Sequence, residues 1–172
     1  TDYDPDILNR HHNADIHEYA ISEDVLNADV IINMPKCKMH RKAGITAALK
    51  NCVGACTRKE YLPHHTNGAL LDENNGGDAY KSKSLFRDAE NFLLDWRNRL
   101  LQTQHRRKAA WLLNQLCRID RVLARHFGNE KYSEGSWYGN NTISKTITDL
   151  NKIIFYADNK GNLRDKKVRK YL

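Results

Sequence analysis

The chain has 172 residues, 40% of them hydrophobic and 28% charged, with a formal net charge of +7. That size fits one ordinary domain, and the balance excludes collagen, low-complexity disorder and a disulfide-dense miniprotein. No apolar run approaches the roughly 20 residues that cross a bilayer, and no secretory leader opens the chain, so neither a membrane nor export is expected. The four cysteines (Cys37, Cys52, Cys56 and Cys117) match no disulfide scaffold or zinc ribbon. Reduced thiols and a cytoplasmic location are therefore expected. The chain opens Thr1-Asp2-Tyr3 without an initiator Met, which reads as a fragment of a longer protein.

Charge is unevenly placed. Residues Thr1 to Met34 hold eight acids against Arg10 alone, whereas Pro35 to Glu60 hold seven bases against one acid. A short block of concentrated positive charge attracts phosphate, carboxylate or nucleic acid.

In chain order, Asp2 to Asn13 reads as a polar, irregular entry. Ile16 to Ile21 alternates like a short strand, and Ser22 is placed to cap a short helix. Val30 to Asn33 is β-branched and predicts a buried strand, which Pro35 stops. Lys36 to Ala43 reads as a basic loop, and Ile45 to Val53 as a helix ending at Gly54. Strand, basic loop and helix start, over 28–60, form a unit of the kind that holds ligands at strand ends in α/β folds.

Tyr61 to Tyr80 is a long polar loop. Residues 82–127 then predict a helical hairpin, with one apolar stripe at Phe86, Ala89, Leu93, Trp96 and Leu100 and another at Leu112, Leu116, Ile119, Leu123 and Phe127. Ile143, Ile147, Leu150 and Ile154 mark a last helix, capped by Asn141 or Thr142. The whole predicts a single α/β domain over 1–172, with a small, mostly parallel sheet, packed helices and a long helical hairpin insertion.

Candidate site residues concentrate in the basic block. Lys36, Lys38 and His40 alternate and so project to one side of an extended chain. Thr46 at a helix start, and Lys50 one turn on, complete an anion cradle, with Asn51 beside them. His40 and Lys50 are the candidate catalytic pair. Trp137 and Tyr138 are placed either to stack on a ring or to fill the core. His64, His65 and Asp78 are weaker metal candidates, because adjacent histidines point apart in regular structure.

The segment Ala28 to His40, with Ala43-Gly44-Ile45-Thr46 and Leu49-Lys50-Asn51-Cys52-Val53-Gly54, resembles the domain of unknown function 362 family of bacteria and archaea. The shared pattern is a strand, Pro-Lys-x-Lys-x-His, Gly-hydrophobic-Thr and Lys-Asn-x-x-Gly. Gly77-Asp78-x-Tyr80 and Gly135-Ser136-Trp137-Tyr138-Gly139-Asn140-Asn141-Thr142 also resemble it, as do Asp149-Leu150-Asn151 and Tyr156-Ala157-Asp158. Asn141 stands where the family pattern often has Asp. The similarity spans Ala28 to Leu163 in three islands and implies an α/β fold, with a further α/β portion upstream as the partner of this one. The ferredoxin-type cysteine pattern of some relatives is absent.

A more distant likeness, His40-x-x-Ala43-Gly44-x-Thr46-x-x-x-Lys50, is similar to the catalytic motif of nickel-pincer lactate racemases. It implies His40 as acid/base and Lys50 as the cofactor lysine, but Ala48-Leu49 replaces the Gly-Gly of those enzymes. Cofactor, metal and reaction are left open by the sequence. Two functions are expected from it. The first is binding of a phosphorylated or carboxylated small molecule at the basic block. The second is a nucleic-acid module using Arg97, Arg99, Arg106, Arg107, Lys108, Arg118, Arg121 and Arg125.

Overall fold

The computed structural model describes residues 4–72, 76–103, 106–128 and 133–171. In chain order the elements are α1 (Pro5–His11), α2 (Glu23–Asn27), β1 (Val30–Ile31), β2 (Lys38–His40), β3 (Gly44–Thr46), α3 (Ala48–Asn51), α4 (Leu85–Leu101), α5 (Arg107–Phe127), α6 (Thr142–Tyr156) and β4 (Lys170–Tyr171). Single 3₁₀ turns lie at Cys52–Ala55 and Lys59–Tyr61. The fold is mixed α/β. Among the described residues the strands form two separate two-stranded ladders in place of one mostly parallel sheet: β1–β4 is parallel and β2–β3 antiparallel. No helix among the described residues is long and apolar enough to cross a membrane. The chain divides into two compact units, one of residues 11–64 and 141–172 and the other of 1–10 and 65–140.

The first unit is organised by α6. Ile143, Thr146, Leu150, Asn151 and Ile154 recur every three or four residues and bury one helix face. That face packs on α3 and the Cys52–Ala55 turn, where Cys52 and Val53 are buried. Asn151 Nδ2 donates to the Leu49 carbonyl at 2.9 Å, fixing α3 to α6. Asn141 occupies the N-cap position of α6 but makes no side-chain capping bond. At the other end the buried Arg169 guanidinium donates to the carbonyls of Ile154 (2.9 Å) and Ala157 (2.6 Å), and to that of Leu26. These bonds satisfy carbonyls that a helix end leaves open.

The strand expected over Val30 to Asn33 is shorter and more exposed than the sequence implies. It covers two residues, and Val30 and Ile32 are 46% and 65% exposed. Among the described residues its ladder partner is the two-residue β4. A β-branched run states a preference for strand but not how many neighbours will cover it. The expected helix over Ile45 to Val53 is also corrected. Ile45 and Thr46 belong to β3, and the helix is four residues long. No strand forms over Ile16 to Ile21, where His12 and His17 meet in an isolated antiparallel bridge and Ile21 bridges to Cys56. The irregular entry is in fact α1: the Asp4 carboxylate accepts the N–H of Asp6 at 2.9 Å, and Pro5 takes the first helical position.

In the second unit α4 and α5 pack on each other. The buried face of α5 is Ala110, Cys117 and Ala124, small residues seven apart that share one side of the helix and permit close approach. The stripe at Leu112, Leu116, Ile119, Leu123 and Phe127 is exposed instead. On α4 the buried residues are Arg87, Glu90 and Asn98, while Phe92 and Trp96 face outward. Glu90, 1% exposed, is bracketed by Arg87 Nη1 at 3.0 Å and Arg121 Nε at 2.6 Å. The Glu90–Arg121 ion pair between the helices and the small buried face of α5 thus stand where periodicity predicts two meeting apolar stripes. A smaller apolar cluster is formed by Ala69, Ala79 and Tyr80, within the segment 65–80 itself.

Candidate functional site

The basic block folds as a hairpin. Gly44, at φ 71°, takes the left-handed conformation that closes the turn between β2 and β3 at little steric cost. The register pairs Lys38 with Thr46, Met39 with Ile45 and His40 with Gly44. Directly opposed residues share a face and successive residues alternate, so Lys38, His40 and Thr46 lie on one side of the ladder. Met39 and Ile45 lie on the other, both exposed.

The His40 ring is oriented by its own turn. Its Nδ1 accepts the backbone N–H of Ala43 at 3.0 Å and of Lys42 at 3.3 Å. The neutral ring therefore carries its proton on Nε2. Partial burial, followed by the charges of Lys50, Lys38 and Lys42, pushes the His40 pKa below its ordinary value. Lys50 is lowered too, by burial first and by Lys38 second. Thr46 adds a buried Oγ1 with no hydrogen-bond partner. Lys38, Lys42 and Lys50 thus act electrostatically on His40, and Thr46 shares the ladder face of Lys38 and His40.

Other parts of the expected cradle differ. Thr46 ends β3 and makes no cap, and α3 is too short to offer a helix N-terminus to an anion. Asn51 Nδ2 donates to Asn33 Oδ1 at 2.6 Å, while Asn33 Nδ2 donates to the Ala48 carbonyl at 2.7 Å. This pair of amides ties the end of β1 to α3. Lys36 precedes β2 and is exposed.

A family model described as a domain of unknown function (DUF362) matches residues 2–166, nearly the whole chain. The chain belongs to the DUF362 family. No curated protein and no solved structure matches it.

Of the remaining candidates in this DUF362 chain, Trp137, Tyr138, His65 and Asp78 belong to the unit of 1–10 and 65–140. Trp137 is buried and donates Nε1–H to the Asp78 carbonyl at 2.9 Å, whereas Tyr138 is exposed. The Asp78 carboxylate accepts the Thr66 N–H at 2.6 Å. His65 Nε2 lies 2.5 Å from Glu134 Oε1. His64, in the other unit, donates from Nδ1 to the Leu62 carbonyl at 2.7 Å. Among the described residues no group of three His, Cys, Asp or Glu side chains is placed to hold a metal ion. Within the basic helices, Arg99 pairs with Asp6 at 3.0 Å and Arg121 with Glu90, so part of that charge is neutralised internally.

A cavity of about 500 Å³ between residues 67–72 and 80–91 lies beyond what sequence pattern reveals. Its wall carries Arg87, 4.5 Å above the Tyr80 ring, and a Lys83–Asp72 pair at 3.5 Å. No spacing rule marks it, because two separate segments build it.

Proposed function

We propose that this DUF362 domain binds a small molecule bearing phosphate or carboxylate on the β2–β3 face, held by Lys38, Lys50, Thr46 and the Nε2–H of His40. The observation that carries this reading is the nature of the charges acting on His40 and Lys50: those that shift the two groups are all lysines. Cations crowded together and partly removed from water are stabilised by an anion. The buried Thr46 hydroxyl supplies a donor that the protein itself leaves unused. Met39 and Ile45, on the opposite face, take no part.

On this reading His40 is the group that would exchange a proton with a bound substrate, since its ring is fixed at Nδ1 and open at Nε2. Binding comes first, and any chemistry would follow from what is bound. The test is an inorganic phosphate titration monitored at the His40 ring by NMR. A saturable shift of that ring, weakened at least tenfold in Lys50→Ala, supports the reading. An unmoved ring at millimolar phosphate refutes it.

A further inference from the structure

We propose that His12 and His17 form a divalent transition-metal site, zinc being the ion tested first, apart from the anion face of β2–β3. The two histidines lie directly opposite each other in an antiparallel bridge. The bridge is closed on one side by Asn13 N–H to the Ile16 carbonyl (2.9 Å) and on the other by Glu18 N–H to the His11 carbonyl (3.0 Å). His12 and His17 therefore occupy the pair that makes no backbone bonds between its members, the arrangement in which opposed side chains come closest. Their Nδ1 atoms are 3.4 Å apart. Two imidazoles on one tetrahedral zinc, at Zn–N of about 2.0–2.1 Å, place their nitrogens about 3.3–3.4 Å apart.

The protonation of His12 suits a ligand. Its Nε2 lies 3.2 Å from the Tyr61 carbonyl, which can only accept, so the proton sits on Nε2 and the Nδ1 lone pair is directed at His17. A backbone carbonyl holding the far ring nitrogen is the usual support of a metal-bound histidine. The Tyr19 ring meets it edge-on at 4.9 Å, which restricts its rotation.

His17 is exposed, so its ring can turn to accept an ion between the two nitrogens. Beside the pair, His11 is held by Glu18 at 2.7 Å and stacked on Tyr61 at 4.1 Å. Water fills the remaining coordination positions, because no third His, Cys, Asp or Glu among the described residues joins the pair. Imidazole nitrogen suits zinc, copper and nickel and disfavours magnesium and calcium.

The experiment is calorimetric titration of the full 172-residue chain with zinc chloride at pH 7.5, with ¹⁵N imidazole spectra of the same samples. The expected result is one site whose binding shifts His12 Nδ1 and weakens at least tenfold in His17→Ala. His17 is exposed, so this variant keeps the fold, and circular dichroism checks it. His64→Ala should leave the affinity unchanged. Zinc binding that His17→Ala does not weaken, or His12 and His17 spectra that ignore zinc, overturns the proposal.

Discussion

Arg121 Nε lies 2.6 Å from Glu90 Oε1, and the carboxylate it touches is almost wholly out of water. Arg87 holds the other carboxylate oxygen at 3.0 Å, so one acid sits between two guanidinium groups. Removing the acid takes the Glu90 carboxylate from both the buried Arg87 and Arg121. Glu90→Ala should therefore lower stability by about 3–5 kcal/mol, read as a shifted midpoint in urea melts. A change below about 1 kcal/mol would mean that water reaches the cluster freely.

His40 gives a prediction with a sign. Its pKa lies below the ordinary 6.5 in the folded chain, through burial and then Lys50, Lys38 and Lys42. Between the folded value and 6.5 the unfolded chain binds the proton more tightly, so stability rises with pH through that window. The contribution is complete above 6.5 and is lost as pH falls through the folded value. Lys50→Ala should move the His40 titration upward in NMR, because it removes a neighbouring cation. A downward move, or none, would separate the two residues.

Trp96 separates the two pictures of α4. It is 48% exposed, so Trp96→Ala should cost about 1–2 kcal/mol in denaturant melts, below the range for a buried tryptophan. Leu150, 0% exposed on α6, should cost about 2–5 kcal/mol when changed to Ala. Reversal of this order would place Trp96 in a core.

Gly44 has open space around the position of a Cβ, so a substitution there meets only the strain of φ 71°. Gly44→Ala should cost about 1–2 kcal/mol, and Gly44→Asn less, because Asn tolerates the left-handed region. Gly77 is different, since a Cβ would stand 2.0 Å from the Asn67 carbonyl oxygen. Gly77→Ala should be the more damaging of the two alanine changes in the same melts.

What could be read in the sequence follows physical range. The helices α4, α5 and α6 were legible because their apolar residues repeat over many turns. The four-residue α3 and the hairpin before it were not, because Ala, Leu and Lys favour helix while tertiary pairing put Gly44 to Thr46 into a strand. The entry helix α1 was legible in principle, since Asp4-Pro5 is a cap followed by a helix-starting proline. Which face of α5 is buried was not, because a run of small residues seven apart is quieter than a leucine stripe. In the site, Lys38 and His40 were expected on one side from their alternation and Thr46 at a helix start; the hairpin register puts all three on one face, with Thr46 in β3 instead of a helix. The hydrogen bond from Asn51 Nδ2 to Asn33 Oδ1 joins positions 18 apart, and pattern alone cannot reach it.

Segments 11–64 and 141–172 make up one unit although 76 residues separate them, and this orders the events of synthesis. Lys38 meets Thr46 eight positions later, so the β2–β3 hairpin can form while the chain is still being made. Val30 waits for Lys170, and the Leu26 carbonyl waits for Arg169. On the ribosome, where the N-terminal part emerges first, the contacts of the hairpin are therefore available long before β4 can pair with β1. A chain stopped before Arg169 would carry every residue of the β2–β3 ladder and lack the last strand and the guanidinium that close α6.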